Sequence, residues 1–156
     1  MNTSFVQSFR SKMVLAAALL VGLATTSPAL ATSTGAQTLG TAANAIDVYT
    51  FTCPVGVGVR ARANVQDVAP INNPAFMQVV LGKAGFASSQ TTDVLPVPFG
   101  EGGAASPVAQ VIGGPGLYTV AFKKTAGGLE GYIGNVVCCN VASVCVNPAL
   151  FRSINQ

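Results

Sequence analysis

V-G-V-G-V-R-A-R-A-N-V, residues 55–65, alternates more strictly than any other run in this chain of 156 residues. Val55, Val57, Val59, Ala61, Ala63 and Val65 fall on one side, and Gly56, Gly58, Arg60, Arg62 and Asn64 fall on the other. A period of two is the signature of a β-strand with one face against a core. Arg60, Arg62 and Asn64 then project together from the opposite face. They make a candidate binding face for an acidic glycan or a partner protein, or else a wet sheet face whose guanidinium groups discourage edge pairing.

Runs of the same texture flank it. Ile46–Cys53 puts Tyr49, Phe51 and Cys53 on one face and Val48, Thr50 and Thr52 on the other, and Pro54 ends it. Downstream, strands are predicted over Phe76–Leu81, briefly over Phe86–Ser88 after the turn G-K-A-G, over Val108–Ile112, over Leu117–Lys123 and over Tyr132–Val141. The stretch Ser89–Pro107 carries Pro96, Pro98, Gly100, Gly102, Gly103 and Pro107 and reads as a long loop with an edge segment near Val94–Val97. About eight short strands, Gly/Pro turns and no helical apolar stripe predict an all-β fold, an antiparallel β-sandwich of jelly-roll type. A closed barrel around a ligand is the alternative architecture.

The N-terminus follows different rules. Arg10 and Lys12 precede an apolar run from Met13 to Ala24, and Ala29-Leu30-Ala31 follows. A basic region, a short apolar region and an A-x-A site are the three parts of a secretory signal peptide, with cleavage expected after Ala31. The apolar run is too short to span a bilayer as a helix, which takes about 20 residues. Residues 32–45 are small and polar and read as a flexible leader, residues 46–146 as the domain, and residues 147–156 as a loose tail. The expected location is the periplasm or the exterior of a bacterial cell.

Only 8% of the residues are charged, and the formal charge of +3 rests on eight Lys+Arg against five Asp+Glu. Loss of Arg10 and Lys12 with the signal brings it to about +1, far from the basic stripe of a nucleic-acid binder. No histidine is present. Ser-His-Asp triads, Cys-His dyads and His-ligated metals from this chain alone are therefore excluded.

Cys53, Cys138, Cys139 and Cys145 are an even set in an exported chain, which favours two disulfides over free thiols. The spacing C-C-N-V-A-S-V-C lacks the paired knuckles of a four-thiolate zinc site. Adjacent strand residues point to opposite faces, so Cys138 and Cys139 need separate partners. Two connectivities remain, each joining Cys53 to one of the pair and Cys145 to the other. Cys53–Cys138 with Cys139–Cys145 is favoured because the second bridge would close a short turn.

D-V-Y-T-F-T-C-P at residues 47–54 resembles the opening strand of the bacterial pre-peptidase C-terminal domain family, an acid followed by aromatic-x-aromatic and a Pro/Gly turn. The segment F-M-Q-V-V-L-G-K-A-G-F-A-S-S at 76–89, Gly116-Leu117-Tyr118-Thr119-Val120 and Gly131-Tyr132 are similar to later pieces of that family, over about residues 46–141. The resemblance implies a jelly-roll-like sandwich, accessory to secreted enzymes or a binder of polymers, and not itself catalytic. Some members bind calcium through clustered acids. Here Asp47, Asp67, Asp93, Glu101 and Glu130 are scattered, so no metal and no cofactor is expected.

Glu101 and Glu130 are the pair considered for glycosidase-like work, and Glu101 reads instead as a loop tip. The loops G-E-G-G and G-G-P-G precede no helix and hold no lysine, so they are turns and not phosphate cradles. The expected function is a non-catalytic, exported binding module with a protein or extracellular polymer as partner. The alternative is a surface protein that associates with copies of itself, since a charge-poor sheet leaves its edges unguarded.

Overall fold

The computed structural model describes residues 31–57, 59–69, 75–93 and 105–156. The segment before Ala31 that is expected to be a signal peptide, the edge segment expected at 94–97 and Glu101 lie outside the described residues. Ten strands follow one another: β1 (Thr32–Leu39), β2 (Ile46–Cys53), β3 (Arg60–Ala69), β4 (Met77–Gly82), β5 (Ser89–Thr92), β6 (Ala109–Val111), β7 (Gly116–Lys124), β8 (Glu130–Cys139), β9 (Cys145–Val146) and β10 (Phe151–Ile154). They form two antiparallel sheets, β1-β8-β3-β6 with β9 added to β8, and β10-β2-β7-β4-β5. The first eight strands lie as 1-8-3-6 over 2-7-4-5, the winding of an eight-stranded jelly roll. The expected sandwich is present, as two separate sheets and not a closed barrel.

Period-two burial explains why these segments are strands. Phe51, Met77, Val79, Leu81, Tyr118, Val120, Phe122, Tyr132 and Val136 alternate inward and are essentially inaccessible to solvent. Phe122 of β7 stacks on Tyr132 of the opposite sheet, with ring centroids 5.0 Å apart, and Tyr49 meets Phe122 edge-on at 5.8 Å. Gly134 lies under this cluster because a Cβ there would stand 2.2 Å from Phe122 Cζ. Cys53 of β2 and Cys138 of β8 form a disulfide across the core, and Cys139–Cys145 closes the turn between β8 and β9. The favoured connectivity is the observed one.

Four sequence expectations move. The strand expected from Val55 begins at Arg60, and residues 55–57 turn instead. Pro54 lacks a backbone donor and Gly56 sits at φ +88°, so the chain reverses there and leaves Val55 87% exposed. The brief strand expected at Phe86–Ser88 is displaced to Ser89–Thr92, because the Phe86 amide closes a turn onto the Lys83 carbonyl. Residues 32–39, read as leader, are instead β1, antiparallel to β8. Only Leu39 of β1 is fully buried, so backbone pairing holds the strand and no apolar period announces it. The last residues, read as tail, supply β10 on the free edge of β2.

Buried charge fixes that last strand. Asp47 on β2 is inaccessible, pairs with Arg152 of β10, accepts the Tyr132 hydroxyl at 2.7 Å and accepts the Gln156 amide at 3.2 Å. Burial of Arg152 works against its charge, but the hydrogen bond to Asp47 and the charge of Asp47 outweigh it and hold the guanidinium above its usual range. Burial and the bond to Asp47 push the Tyr132 phenol far above its ordinary range. One carboxylate thus ties both sheets and the C-terminal strand together.

Candidate functional site

Arg60, Arg62 and Asn64 stand on the outer face of β3, as the alternation requires, while Ala61, Ala63 and Val65 fill the core. Register adds what sequence spacing could not. Asn64 lies opposite Asn135 on β8, Arg62 lies between Val137 of β8 and Gln110 of β6, and Asn135 in turn faces Ser33 of β1. Arg62 Nε donates to Gln110 Oε1 at 2.8 Å, which holds the guanidinium along the sheet. Arg60 donates to Ser143 Oγ at 2.6 Å, and Ser143 adopts φ 62° in the turn closed by Cys139–Cys145. The second disulfide thereby positions Arg60. Asn64 Oδ1 and Arg60 Nε are buried without a hydrogen-bond partner among the described residues.

A groove of about 320 Å³ runs over this face, lined by Ala31, Arg62, Asn64, Val108, Asn135 and Val137. It is open along its length, which suits an extended ligand more than an enclosed small molecule. Asn135 and Gln110 were not singled out from sequence. The signal for Asn135 was present, since it alternates outward between Val136 and Gly134 on the strand at 132–141, but pairing with Asn64 is a property of register.

The charge distribution sharpens the site. Asp47, Asp67, Asp93 and Glu130, the described carboxylate side chains, are all buried. Asp67 and Asp93 come together across the loop, the Asp67 amide donating to Asp93 Oδ2 at 2.8 Å. Three of the described cations, Lys83, Lys124 and Arg152, are also absorbed into structure. Lys83 donates to the carbonyls of Gly113, Gly114 and Pro115 and lies over the Phe86 and Tyr118 rings. Lys124 donates to the carbonyls of Gly40 and Gly128; burial lowers its pKa, and the charge of Glu130 partly restores it. Arg152 is paired with Asp47. The cations held by neither a carboxylate nor backbone carbonyls among the described residues are Arg60 and Arg62 on one outer face and Lys123 on the other.

The fold and this face together define a disulfide-bridged jelly-roll sandwich with an open sheet surface on which Arg62, Asn64 and Asn135 stand among apolar side chains. Comparison of the chain with protein-family models, with characterised proteins and with solved structures finds no match. No helix among the described residues is long and apolar enough to cross a membrane.

Proposed function

We propose that this chain is an exported, non-catalytic binding module whose site is the outer face of β6, β3, β8 and β1. The observation that carries this reading is the open groove bearing Arg62, Asn64 and Asn135 in a domain whose described side-chain carboxylates are all buried. Two disulfides support an oxidising compartment and hence export. The absence of histidine from the whole sequence supports the non-catalytic part. The resemblance to the pre-peptidase C-terminal family points the same way. Asp47, Tyr49 and Phe51 of its opening motif lie in β2, the Gly116–Val120 motif lies in β7 and Gly131-Tyr132 lies in β8. An accessory role beside a secreted enzyme, or on an extracellular polymer, is the function that resemblance suggests.

The test is co-sedimentation and calorimetry of the purified chain against a panel of extracellular polysaccharides and surface polymers. Binding that is lost in R62A and N64A, with folding retained, supports the module; no binding across the panel overturns it.

Self-association is a second reading, favoured by the other sheet. Leu117 and Phe151 are 62% and 66% exposed on a face shared with Val48, Val80 and Ala121, where Lys123 is the one charged side chain among the described residues. Sedimentation velocity over a hundredfold concentration range separates the two. A monomer throughout removes the second reading.

A further inference from the structure

We propose that hydrolysis of the Ala31–Thr32 bond opens the β1 end of the groove by removing Ala31 and leaves a new terminal ammonium there, opposite Arg62, as the second cationic wall of a site for a carboxylated polysaccharide. The proposal rests on the exported-module reading above and specifies its ligand and its maturation. Ala31 lines the groove together with Val137, Asn135 and Arg62. Thr32 pairs with Val136 and Ser33 with Asn135, so one step further back along β1 the chain stands beside Val137. Val137 in turn lies opposite Arg62. Arg62 and the start of β1 are therefore two strand spacings apart, about 10 Å, with Val137 and Asn135 between them as the floor.

Cleavage after Ala31 adds water across that peptide bond, leaving a carboxylate on the departing Ala31 and an amine on Thr32. At neutral pH the amine is mostly protonated, with an ordinary pKa of about 7.7–8.0. The uncleaved chain carries a neutral amide at the same place. Export would thus switch on a charge at the rim of the groove, and β8 holds that charge in position because Thr32 is already paired in the sheet.

The ligand class follows from what lines the groove. Guanidinium and ammonium groups select anionic oxygens, and a planar carboxylate matches the fork that Arg62 presents beyond its bond to Gln110. Asn135 offers an amide donor and acceptor, and Asn64, whose Oδ1 is buried, its amide donor, at the spacing of a sheet ladder, which suits the hydroxyls of a sugar chain. No tryptophan exists in the chain and all three tyrosines face away from this surface, Tyr49, Tyr118 and Tyr132 being buried in the core. Recognition of a neutral sugar or a nucleobase by ring stacking therefore has no platform here. Two or three cations are also too few for the phosphate contacts of a nucleic acid.

The pH response belongs to the terminus. The charged or titratable groups facing it are Arg60 and Arg62 of β3; β8 contributes Asn135, Val136 and Val137, and β6 contributes Val108 and Gln110. Arginine stays protonated throughout, so a fall in affinity between about pH 7 and pH 9 reports the amino group alone.

The experiment uses protein exported from a bacterial host, its first residue read by mass spectrometry, with an oligogalacturonate as probe in calorimetry. Thr32 as first residue and binding that weakens about tenfold from pH 6.5 to 9.0 are expected, the size of losing one charged hydrogen-bonded contact. A Gly-Ser-Gly insertion between positions 31 and 32 should weaken binding similarly at pH 6.5 and abolish the pH response, R62Q should weaken it by at least as much, and K123Q should leave it unchanged. Equal affinity with and without the insertion overturns the role of the terminus while leaving the binding module standing. Equal binding of a neutral galactan overturns the carboxylate requirement, and equal binding of polyglutamate overturns the sugar. A different first residue overturns the maturation step. No binding to any polymer overturns the module reading as well.

Discussion

Gly134→Ala is the sharpest perturbation of the core. The added Cβ would meet Phe122 at 2.2, 2.6 and 2.7 Å, where carbon atoms in contact normally stand about 3.5–4.0 Å apart. The ring must retreat by more than about 1 Å to restore that contact distance. It has little room to do so, since Tyr132 stacks on it at 5.0 Å and Tyr49 abuts it at 5.8 Å. Overpacking of a well-filled core costs about 1–3 kcal/mol. Alanine recovers roughly 0.5–1 kcal/mol over glycine in a strand interior, which caps the offset. A net loss of about 1–2 kcal/mol is expected, a fall in Tm of roughly 3–12 °C for a domain of this size. The assay is urea unfolding followed by tyrosine fluorescence, in G134A, F122L and the double variant. F122L removes the ring atoms that the added methyl group strikes, so the double variant should be more stable than the sum of the singles by at least about 1 kcal/mol. A G134A protein within about 0.5 kcal/mol of the parent, with no coupling to F122L, refutes the packing account.

Four further outcomes are expected. Removing the core bridge as C53A/C138A, which frees a link between residues 85 apart, should cost about 4.6 kcal/mol by loop entropy, and C139A/C145A, 6 apart, about 2.2 kcal/mol, as read by denaturant titration. Cys145 is part-exposed while Cys53 and Cys138 are buried, so a thiol reductant followed by alkylation and mass spectrometry should label Cys145 well before Cys53. Lys83→Met should cost about 1–3 kcal/mol in the same unfolding assay, because three carbonyls and two ring faces lose their cation. The Tyr132 and Tyr118 phenols are raised by burial, so their contribution is complete below pH 10.0, the unfolded value. Above pH 10.0 the unfolded chain ionises first and stability should fall by about 1.4 kcal/mol per pH unit for each tyrosine, a slope that Y132F should reduce. Lys124, lowered by burial, acts in the opposite sense below that point, adding stability as pH climbs from its folded value toward 10.5.

The sandwich was legible wherever a strand buries one face. The alternations at Tyr49-Phe51-Cys53, Ala61-Ala63-Val65 and Tyr118-Val120-Phe122 all point inward as read. Two of the strands that escaped reading, β1 and β10, bury almost no apolar surface: one is held by backbone pairing to β8, the other by Arg152 reaching Asp47. A hydrophobic period cannot announce a strand that owes its place to hydrogen bonds and one ion pair. The candidate face was half legible for a related reason. Arg60, Arg62 and Asn64 share a strand, so a period of two places them on one side. Asn135 and Gln110 reach them only through strand register, and Ala31 through the pairing of β1, and long-range register leaves no trace in local spacing. The two structural lysines were invisible too, because their partners are backbone carbonyls of distant turns.

Whether the outer face of β6, β3, β8 and β1 is a binding surface is decided by amide NMR of the isotopically labelled chain titrated with the oligogalacturonate. Saturable shifts confined to residues around Arg62, Asn64, Gln110, Asn135 and Thr32, lost in R62Q, are the predicted result. Shifts centred instead on Thr50, Leu117 and Thr119 of the opposite sheet, or no saturable shifts, would contradict it.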